Sequence, residues 1–272
     1  ETLTAFGSLM SSMWCGDSDC VSPAGFHSAL ARRYPTFSQS MQEDAQEFLI
    51  CVLNELHEAF IKVSAQLCSF GDTEAEASQG TITETSIITQ LFEGQLSYNI
   101  TCLKCKTTIH RSESFTVLSL PIPSKKACSL QDCLGCFFQQ DKLTRNNQVH
   151  CFCCGTKRDA TVEATIAKAP QIIIFHLKRF EWEGVHRRKL LTNIRYPLSN
   201  LDLAPYTSSL PCLDTWYSLW AIVNHAGLLD DGHYTAFCKR VATENWYRFD
   251  DAEITKIAAS SVQTKTAYLL FY

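Results

Sequence analysis

The sequence predicts an α+β protein built around an antiparallel sheet. Helical periodicity runs from Thr2 to about Ser69, and strand-like alternation takes over after Phe92. Helices first and strands afterwards segregate into separate layers of one α+β architecture. Two Cys-x-x-Cys pairs, Cys102 with Cys105 and Cys151 with Cys154, bracket part of the strand-rich stretch and predict a stapled pair of turns within it.

A chain of 272 residues suffices for one large domain or two small ones with a core of their own. Apolar residues make up 46% and charged residues 19%, which excludes wholesale disorder. The longest apolar runs, such as Ala267 to Tyr272, are too short to span a bilayer. A net charge of −4 gives no general reason to expect nucleic acid or an anionic membrane as a partner. The sequence opens on Glu1 rather than Met, so a fragment or a processed product is expected, with any upstream segment unseen.

Leu3, Phe6, Leu9, Met10, Met13 and Trp14 recur at helical spacing. A polar turn from Gly16 to Ser22 follows. Ser22 and Pro23 then read as the N-cap and first position of a helix carrying Phe26 and Leu30 on one face. Ser40 and Glu43 have capping-box spacing ahead of the stripe Ala45, Phe48, Leu49, Val52, Leu53, Leu56, Ala59 and Phe60. From Ser69 to Glu84 the polar composition predicts a loop or insertion. Leu96, Tyr98 and Ile100 alternate as a strand, and Phe115, Val117 and Leu120 do so more loosely. Ser129 is placed to cap a short helix from Leu130 to Phe138. Strands are expected over Thr161–Ile166, Ile172–Leu177, Tyr217–Val223, Tyr234–Arg240, Trp246–Phe249 and Ala267–Tyr272.

Fourteen cysteines is the unusual count, and eight of them lie between Cys102 and Cys154. A chain this long and apolar needs no disulfide framework, so the cluster suits a metal site with buried thiols around it. Four thiolates from the two outer pairs suit tetrahedral zinc between two hairpin turns, and such a closed site is structural. The alternative is a set of inert thiols. A third pair, Cys133 and Cys136, falls inside the expected helix and reads as packing. Cys153 competes with Cys154 but breaks the two-residue spacer. Scattered cysteines such as Cys51 and Cys238 read as core.

A second constellation lies near the C-terminus. Asp231-Gly232-His233-Tyr234 leads into one expected strand, and Trp246-Tyr247-Arg248-Phe249-Asp250-Asp251 forms the next. Paired strands can bring His233 and Asp250 together. An Asp that accepts from one imidazole nitrogen fixes the tautomer and leaves the other nitrogen to take a proton. That is the base half of a Cys-His-Asp hydrolase. The alternative is a satisfied histidine beside a surface turn.

Several segments together resemble one family. Met41-Gln42-Glu43-Asp44-Ala45-Gln46-Glu47-Phe48-Leu49 resembles the Gln-Gln-Asp-Ala-x-Glu-Phe helix of the ubiquitin-specific proteases, papain-like cysteine deubiquitinases. Phe92-Glu93-Gly94-Gln95 ahead of Cys102-x-x-Cys105 resembles the entry to that family's fingers. Ile174-Phe175-His176-Leu177-Lys178-Arg179-Phe180 resembles its Leu-x-Arg-Phe strand. Val223-Asn224-His225 through His233-Tyr234, then Trp246 to Asp251, resemble its His box. The motifs occur in family order over nearly the whole chain.

The resemblance implies a single papain-like catalytic domain, with thumb helices over 1–69, a variable loop over 70–86, fingers over 87–160 and a palm over 161–272. It implies His233 as general base, Asp250 as its orienting partner and Asp251 as an assisting group near the oxyanion or the bound tail. It strengthens the case for structural Zn²⁺ at Cys102, Cys105, Cys151 and Cys154. It also implies ubiquitin and ubiquitinated proteins as partners, with neither nucleic acid nor membrane.

There are departures. The family's nucleophile box, an Asn-x-Gly-Asn-Thr-Cys-Tyr-Met-Asn type sequence, does not occur here. Cys15 and Cys20 lie in a Trp-Cys-Gly-Asp-Ser-Asp-Cys turn without its flanking residues. The box is expected upstream of Glu1, together with an oxyanion-stabilising Asn. Asp231 replaces the family's usual Gly, which matters if that position needs positive φ, and it brings a carboxylate toward the histidine. Three functions are therefore weighed: a deubiquitinase domain whose Cys lies elsewhere, a ubiquitin-binding pseudoenzyme, and a zinc-ribbon nucleic-acid binder. The last rests on His186-Arg187-Arg188-Lys189, a patch too short for an extended basic stripe and read as a solvated hairpin end. A cytoplasmic or nuclear location is expected.

Overall fold

The computed structural model describes residues 1–16, 20–38, 42–69, 85–183, 186–208, 215–228 and 231–272. They form two compact units, Glu1–Leu91 with Asp230–Gly232, and Phe92–Leu229 with His233–Tyr272. Among the described residues no helix is long and apolar enough to cross a membrane. The expected loop over 70–86 lies almost entirely outside the described residues.

The first unit is helical. Helix α1 spans Thr2–Cys15 and ends on Gly16 at φ 68, the left-handed conformation that terminates a helix without a Cβ clash. None of its residues is buried, and Met10, Met13 and Trp14 of the expected apolar face are exposed. Helix α2 covers Ala24–Arg33, one residue later than the sequence suggests. Pro23 takes the N-cap position, and Ser22 Oγ accepts from the Ala24 N–H at 3.3 Å. Helix α3 runs over Ala45–Ser69. Its cap is Asp44, whose Oδ1 accepts from the Gln46 and Glu47 N–H groups at 2.7 and 3.4 Å. The expected box of Ser40 with Glu43 does not start this helix: Glu43 precedes the cap, and Ser40 lies outside the described residues. A chain of edge-to-face rings, Phe6 to Phe26 to Phe48 to Phe37, ties α1, α2 and α3 around buried Leu30, Leu53 and Leu56. Helix α4, Ile87–Phe92, was not foreseen. Its first turn is capped by buried Ser86, which accepts from the Ile88 and Thr89 N–H groups.

The second unit is mainly sheet. One sheet has four strands in the order Thr108–Phe115, Gly94–Cys102, Ala160–Lys168, Asp141–Leu143. Its long central pair leaves Gly94 opposite Phe115. A Cβ on Gly94 would stand 2.4 Å from Phe115 Cζ and 2.9 Å from Pro170 Cδ, so only glycine lets the ring lie there. The other sheet has seven strands, ordered Glu253–Ile257, Trp246–Asp250, Gly232–Lys239, Ala221–Gly227, Ala267–Phe271, Ile174–Leu177, Leu118–Leu120. The antiparallel expectation holds for most pairs. It fails at one edge of this sheet, where Leu118–Leu120 runs parallel to Ile174–Leu177, and in a separate two-stranded sheet, where Ala127–Ser129 runs parallel to Asn193–Arg195. In each case the chain leaves on a long excursion and returns in the same direction, which a tight hairpin cannot do.

Helix α5, Leu130–Phe138, begins at Ser129 as expected and closes a reciprocal box with Asp132. It buries Leu130, Cys133 and Leu134 in a core that includes Leu120, Phe175 and Ile194. Cys133 is therefore packing, as its helical spacing suggests, and burial pushes its thiol up. The expected strand Tyr217–Val223 is broken into Trp216–Tyr217 and Ala221–Gly227. Between them the Leu219 N–H turns to Leu198 O and the Trp220 N–H to Phe271 O. Strand Glu253–Ile257 escaped notice because four of its five residues are exposed, which removes the apolar alternation.

Candidate active site and metal centre

The motif Ile174 to Phe180 places one strand in the larger sheet and then Arg179, a guanidinium only 1% exposed. Burial lowers its pKa. Its Nε donates to Ala267 O at 2.6 Å, and Nη1 donates to Leu190 O and Thr192 O, both at 3.0 Å. Three carbonyls from two segments are thus fixed by one side chain. Beside it Phe180–Glu183 pairs with His186–Lys189. This basic patch is only partly a solvated end: Arg188 Nη2 donates to Glu181 at 2.7 Å, while Lys189 Nζ is tied to His225 O and Gly227 O, each at 2.8 Å. Loss of water and the nearby Arg179 charge lower the Lys189 pKa. The side chains of His186 and Arg187 lie outside the described residues.

Two neighbouring strands carry the expected dyad. Gly232–Lys239 and Trp246–Asp250 pair antiparallel, ending with Ala236 opposite Phe249. Continuing that register sets Asp250 opposite Thr235, so His233 is its diagonal neighbour on the same face. His233 Nε2 lies 2.6 Å from Asp250 Oδ1. A carboxylate only accepts, so Nε2 carries the proton and Nδ1 is left as the basic nitrogen. The hydrogen bond to Asp250 raises the His233 pKa above its usual value, with its charge and that of Asp251 adding. The same bond holds the Asp250 carboxyl below the usual range, and Arg248 adds to that.

Arg248 was not singled out by the sequence reading. Its Nη2 grips Asp250 Oδ2, the oxygen that His233 does not use. The signal was available, because residues two apart on a strand share a face. Asp251 sits in the turn after the strand at φ 50 and completes a cluster with His233 and Asp250. No thiol of the same unit joins that cluster among the described residues.

The four outer cysteines converge at one end of the smaller sheet. Both Cys-x-x-Cys turns are built alike. Lys106 N–H donates to Cys102 O and Gly155 N–H to Cys151 O, each at 2.9 Å, and Lys106 and Gly155 both adopt positive φ, at 63 and 67. The Leu103 N–H donates to Asp159 O at 2.9 Å and joins the first turn to the strand leaving the second. All four Sγ atoms lie within 4.8 Å of one another, with Cys105 and Cys151 only 3.4 Å apart. Four thiolates at zinc–sulfur bonds of about 2.3 Å would stand about 3.8 Å apart, so the cluster fits a tetrahedral ion with small adjustments. Hydrogen bonds from Thr107 pull the Cys105 thiol down to about 5, whereas burial and the neighbouring sulfurs push Cys154 up to about 12. A cation at the centre displaces the remaining protons. Cys153 is exposed and is not one of the four converging sulfurs.

A family model described as ubiquitin carboxyl-terminal hydrolase matches residues 1–272. The chain belongs to the ubiquitin carboxyl-terminal hydrolase family. It is 35% identical over 283 residues to chicken ubiquitin carboxyl-terminal hydrolase 2, covering 99% of this chain and 79% of that protein. The human protein of the same name is 33% identical, covering 98% of this chain and 46% of the relative. Human ubiquitin carboxyl-terminal hydrolase 21 is 29% identical, covering 100% of this chain and 53% of the relative. The chain thus spans about half the length of these human relatives. Among solved structures it resembles the SAGA Ubp8/Sgf11/Sus1/Sgf73 DUB module bound to ubiquitin aldehyde. That match has a TM-score of 0.72 at 28% identity, over 92% of this chain and 53% of that one. As a ubiquitin carboxyl-terminal hydrolase domain, the chain combines the papain-like α+β fold with a Cys₄ cluster able to hold a metal.

Proposed function

We propose that this chain is the part of a thiol-dependent deubiquitinase that supplies the general base. The single observation that carries the reading is the hydrogen-bonded pair of His233 and Asp250 in a chain that matches the family over its whole length. The substrate bond would be an isopeptide or peptide bond after the C-terminal glycine of ubiquitin. The partners are ubiquitin and ubiquitinated proteins, consistent with the ubiquitin aldehyde bound in the neighbouring structure.

In the reaction, Nδ1 of His233 takes the proton of a cysteine thiol, and the thiolate attacks the carbonyl carbon. Asp250 holds the ring in the productive tautomer and stabilises the imidazolium that forms. Arg248 fixes the Asp250 carboxylate by its second oxygen. The imidazolium then protonates the departing amine. A thioester remains, and water activated by the same imidazole hydrolyses it. The nucleophile is assigned to a cysteine outside the His233 cluster, since no thiol of its unit lies there among the described residues. Asp251 adds negative potential beside the imidazolium.

Cys102, Cys105, Cys151 and Cys154 would hold Zn²⁺ as a structural ion with no open position. The protein would act in the cytoplasm or nucleus. The test uses ubiquitin with a C-terminal thiol-reactive electrophile, added to the full-length protein and read by intact mass. One ubiquitin adduct, lost in His233→Ala, supports the hydrolase. Reversible ubiquitin binding without an adduct would instead make the protein a ubiquitin-holding pseudoenzyme, and no binding would refute both.

A further inference from the structure

Between the two cysteine turns lies a small apolar pocket, lined in part by Cys102 and Cys151 of the metal cluster and open to a further ligand beside them. Its volume is about 110 Å³, and its walls include Ile100, Ile109, Val149 and Phe152. A cavity of about 150 Å³ holds a benzene ring, so this one takes an aliphatic branch but not a whole aromatic ring. Phe152 is 82% exposed and touches only His150 edge-on, at 5.5 Å between centroids, among the ring contacts described. Aromatic residues are enriched in the contact patches of interfaces, and this one stands at the rim of an apolar hollow.

The charge at this end of the sheet is one-sided. Lys104, Lys106, Lys142, Arg145 and Lys157 are all exposed. They come from separate segments that the strand pairing brings to one end of the sheet, with Cys102 and Leu143 both facing Ala160. No acidic residue occurs in 102–112 or 142–158. None of the five cations has an acidic partner among the described residues. The flanking acid Asp159 is already engaged by Gln148 Nε2 at 2.7 Å, and Asp141 lies one strand position beyond Lys142. Within a chain of net charge −4, this end of the sheet is a local cationic surface.

We propose that the pocket between the cysteine turns docks an acidic peptide segment, with one aliphatic side chain in the hollow and carboxylates against the surrounding lysines. The combination selects this partner. Nucleic acid would use the cations but has no aliphatic group for the pocket, and a single exposed aromatic provides no stacking platform. An uncharged apolar peptide would use the pocket and ignore the five cations. The inference does not depend on the hydrolase reaction, and its test needs no turnover.

The probe is a fluorescein-labelled peptide, Asp-Glu-Asp-Leu-Glu-Asp-Glu, titrated with the zinc-loaded chain and read by anisotropy. Saturable binding is expected, weakened about tenfold when glycine replaces the peptide leucine. Phe152→Ala should weaken it about as much, and Lys104→Glu with Lys157→Glu further still. These are exposed positions, and unchanged zinc content and circular dichroism show that the variants fold. Raising salt from about 50 to 200 mM should weaken binding several-fold. The proposal is overturned if the glycine peptide binds equally well, if Phe152→Ala has no effect, or if a single-stranded oligonucleotide binds more tightly. Displacement of the peptide by free ubiquitin would overturn the assignment of a separate partner. Absence of saturable binding up to millimolar concentration would overturn it outright.

Discussion

Replacing Gly94 by Ala tests how the smaller sheet is closed at its base. The added methyl would meet Phe115 Cζ at 2.4 Å, Phe115 Cε1 at 2.7 Å and Pro170 Cδ at 2.9 Å. Carbon contacts are optimal at about 3.5–4.0 Å, so the ring must retreat by about 1 Å and Pro170 must give way as well. Overpacking of this kind costs about 1–3 kcal/mol. The loss of glycine entropy in the unfolded chain returns about 0.4–1 kcal/mol. The net expectation is a destabilisation of about 1–2 kcal/mol, or a fall in Tm of about 2–8 °C for a chain of this size. Differential scanning calorimetry of the zinc-loaded protein reads it. A double-mutant cycle with Phe115→Leu identifies the cause, because shortening the ring should relieve the alanine penalty. An unchanged or raised Tm for Gly94→Ala, or strict additivity with Phe115→Leu, would refute the steric argument.

Asp250→Asn should leave the fold intact and lower kcat by about 10²–10⁴-fold in a ubiquitin–fluorophore hydrolysis assay, because an amide can present the wrong partner to Nε2. Arg248→Ala should give a smaller loss of the same kind, appearing in kcat more than in KM. His233 is raised, so its ¹H NMR titration should have a midpoint above about 6.5, falling back toward that value in Asp250→Asn. The sign follows from linkage: the ion pair's stabilisation is full below about pH 6.5 and is lost as pH rises through the folded value, while hydrolysis gains the neutral base over the same rise. Chelation, or Cys154→Ser, should remove one equivalent of zinc and lower the Tm, whereas Cys136→Ser should leave zinc content unchanged.

Local chemistry wrote the most legible elements. Ser129 as N-cap announced α5 to the residue, because a cap is a local signal independent of tertiary context, and the structure adds the reciprocal bond from Asp132. The cysteine turns were legible for the same reason. The pairing of His233 with Asp250 was legible only through the family resemblance, because two strands joined by a turn can pair in more than one register. What depended on neighbours was less legible. Glu253–Ile257 is held by its ladder to Trp246–Asp250 and not by burial, so period-two hydrophobicity is missing. The break between Tyr217 and Ala221 arises because two N–H groups find carbonyls at Leu198 and Phe271, far away in sequence. Helix α4 has only six residues, fewer than periodicity needs to declare itself. At α3 two plausible caps competed, and Asp44, adjacent to the first turn, took the place assigned to Ser40 and Glu43.

The parallel contact between Leu118–Leu120 and Ile174–Leu177 has a consequence for how this architecture can change. The chain leaves the larger sheet and re-enters it at the next position. Everything between, including α5 and the second cysteine turn, is an excursion with its two ends side by side. Lengthening such an excursion adds only a logarithmic closure cost, about 0.6 kcal/mol per doubling. The exposed turns of the excursion can therefore lengthen or shorten, outside the core positions that α5 fills, while the hairpin that carries the base stays in register.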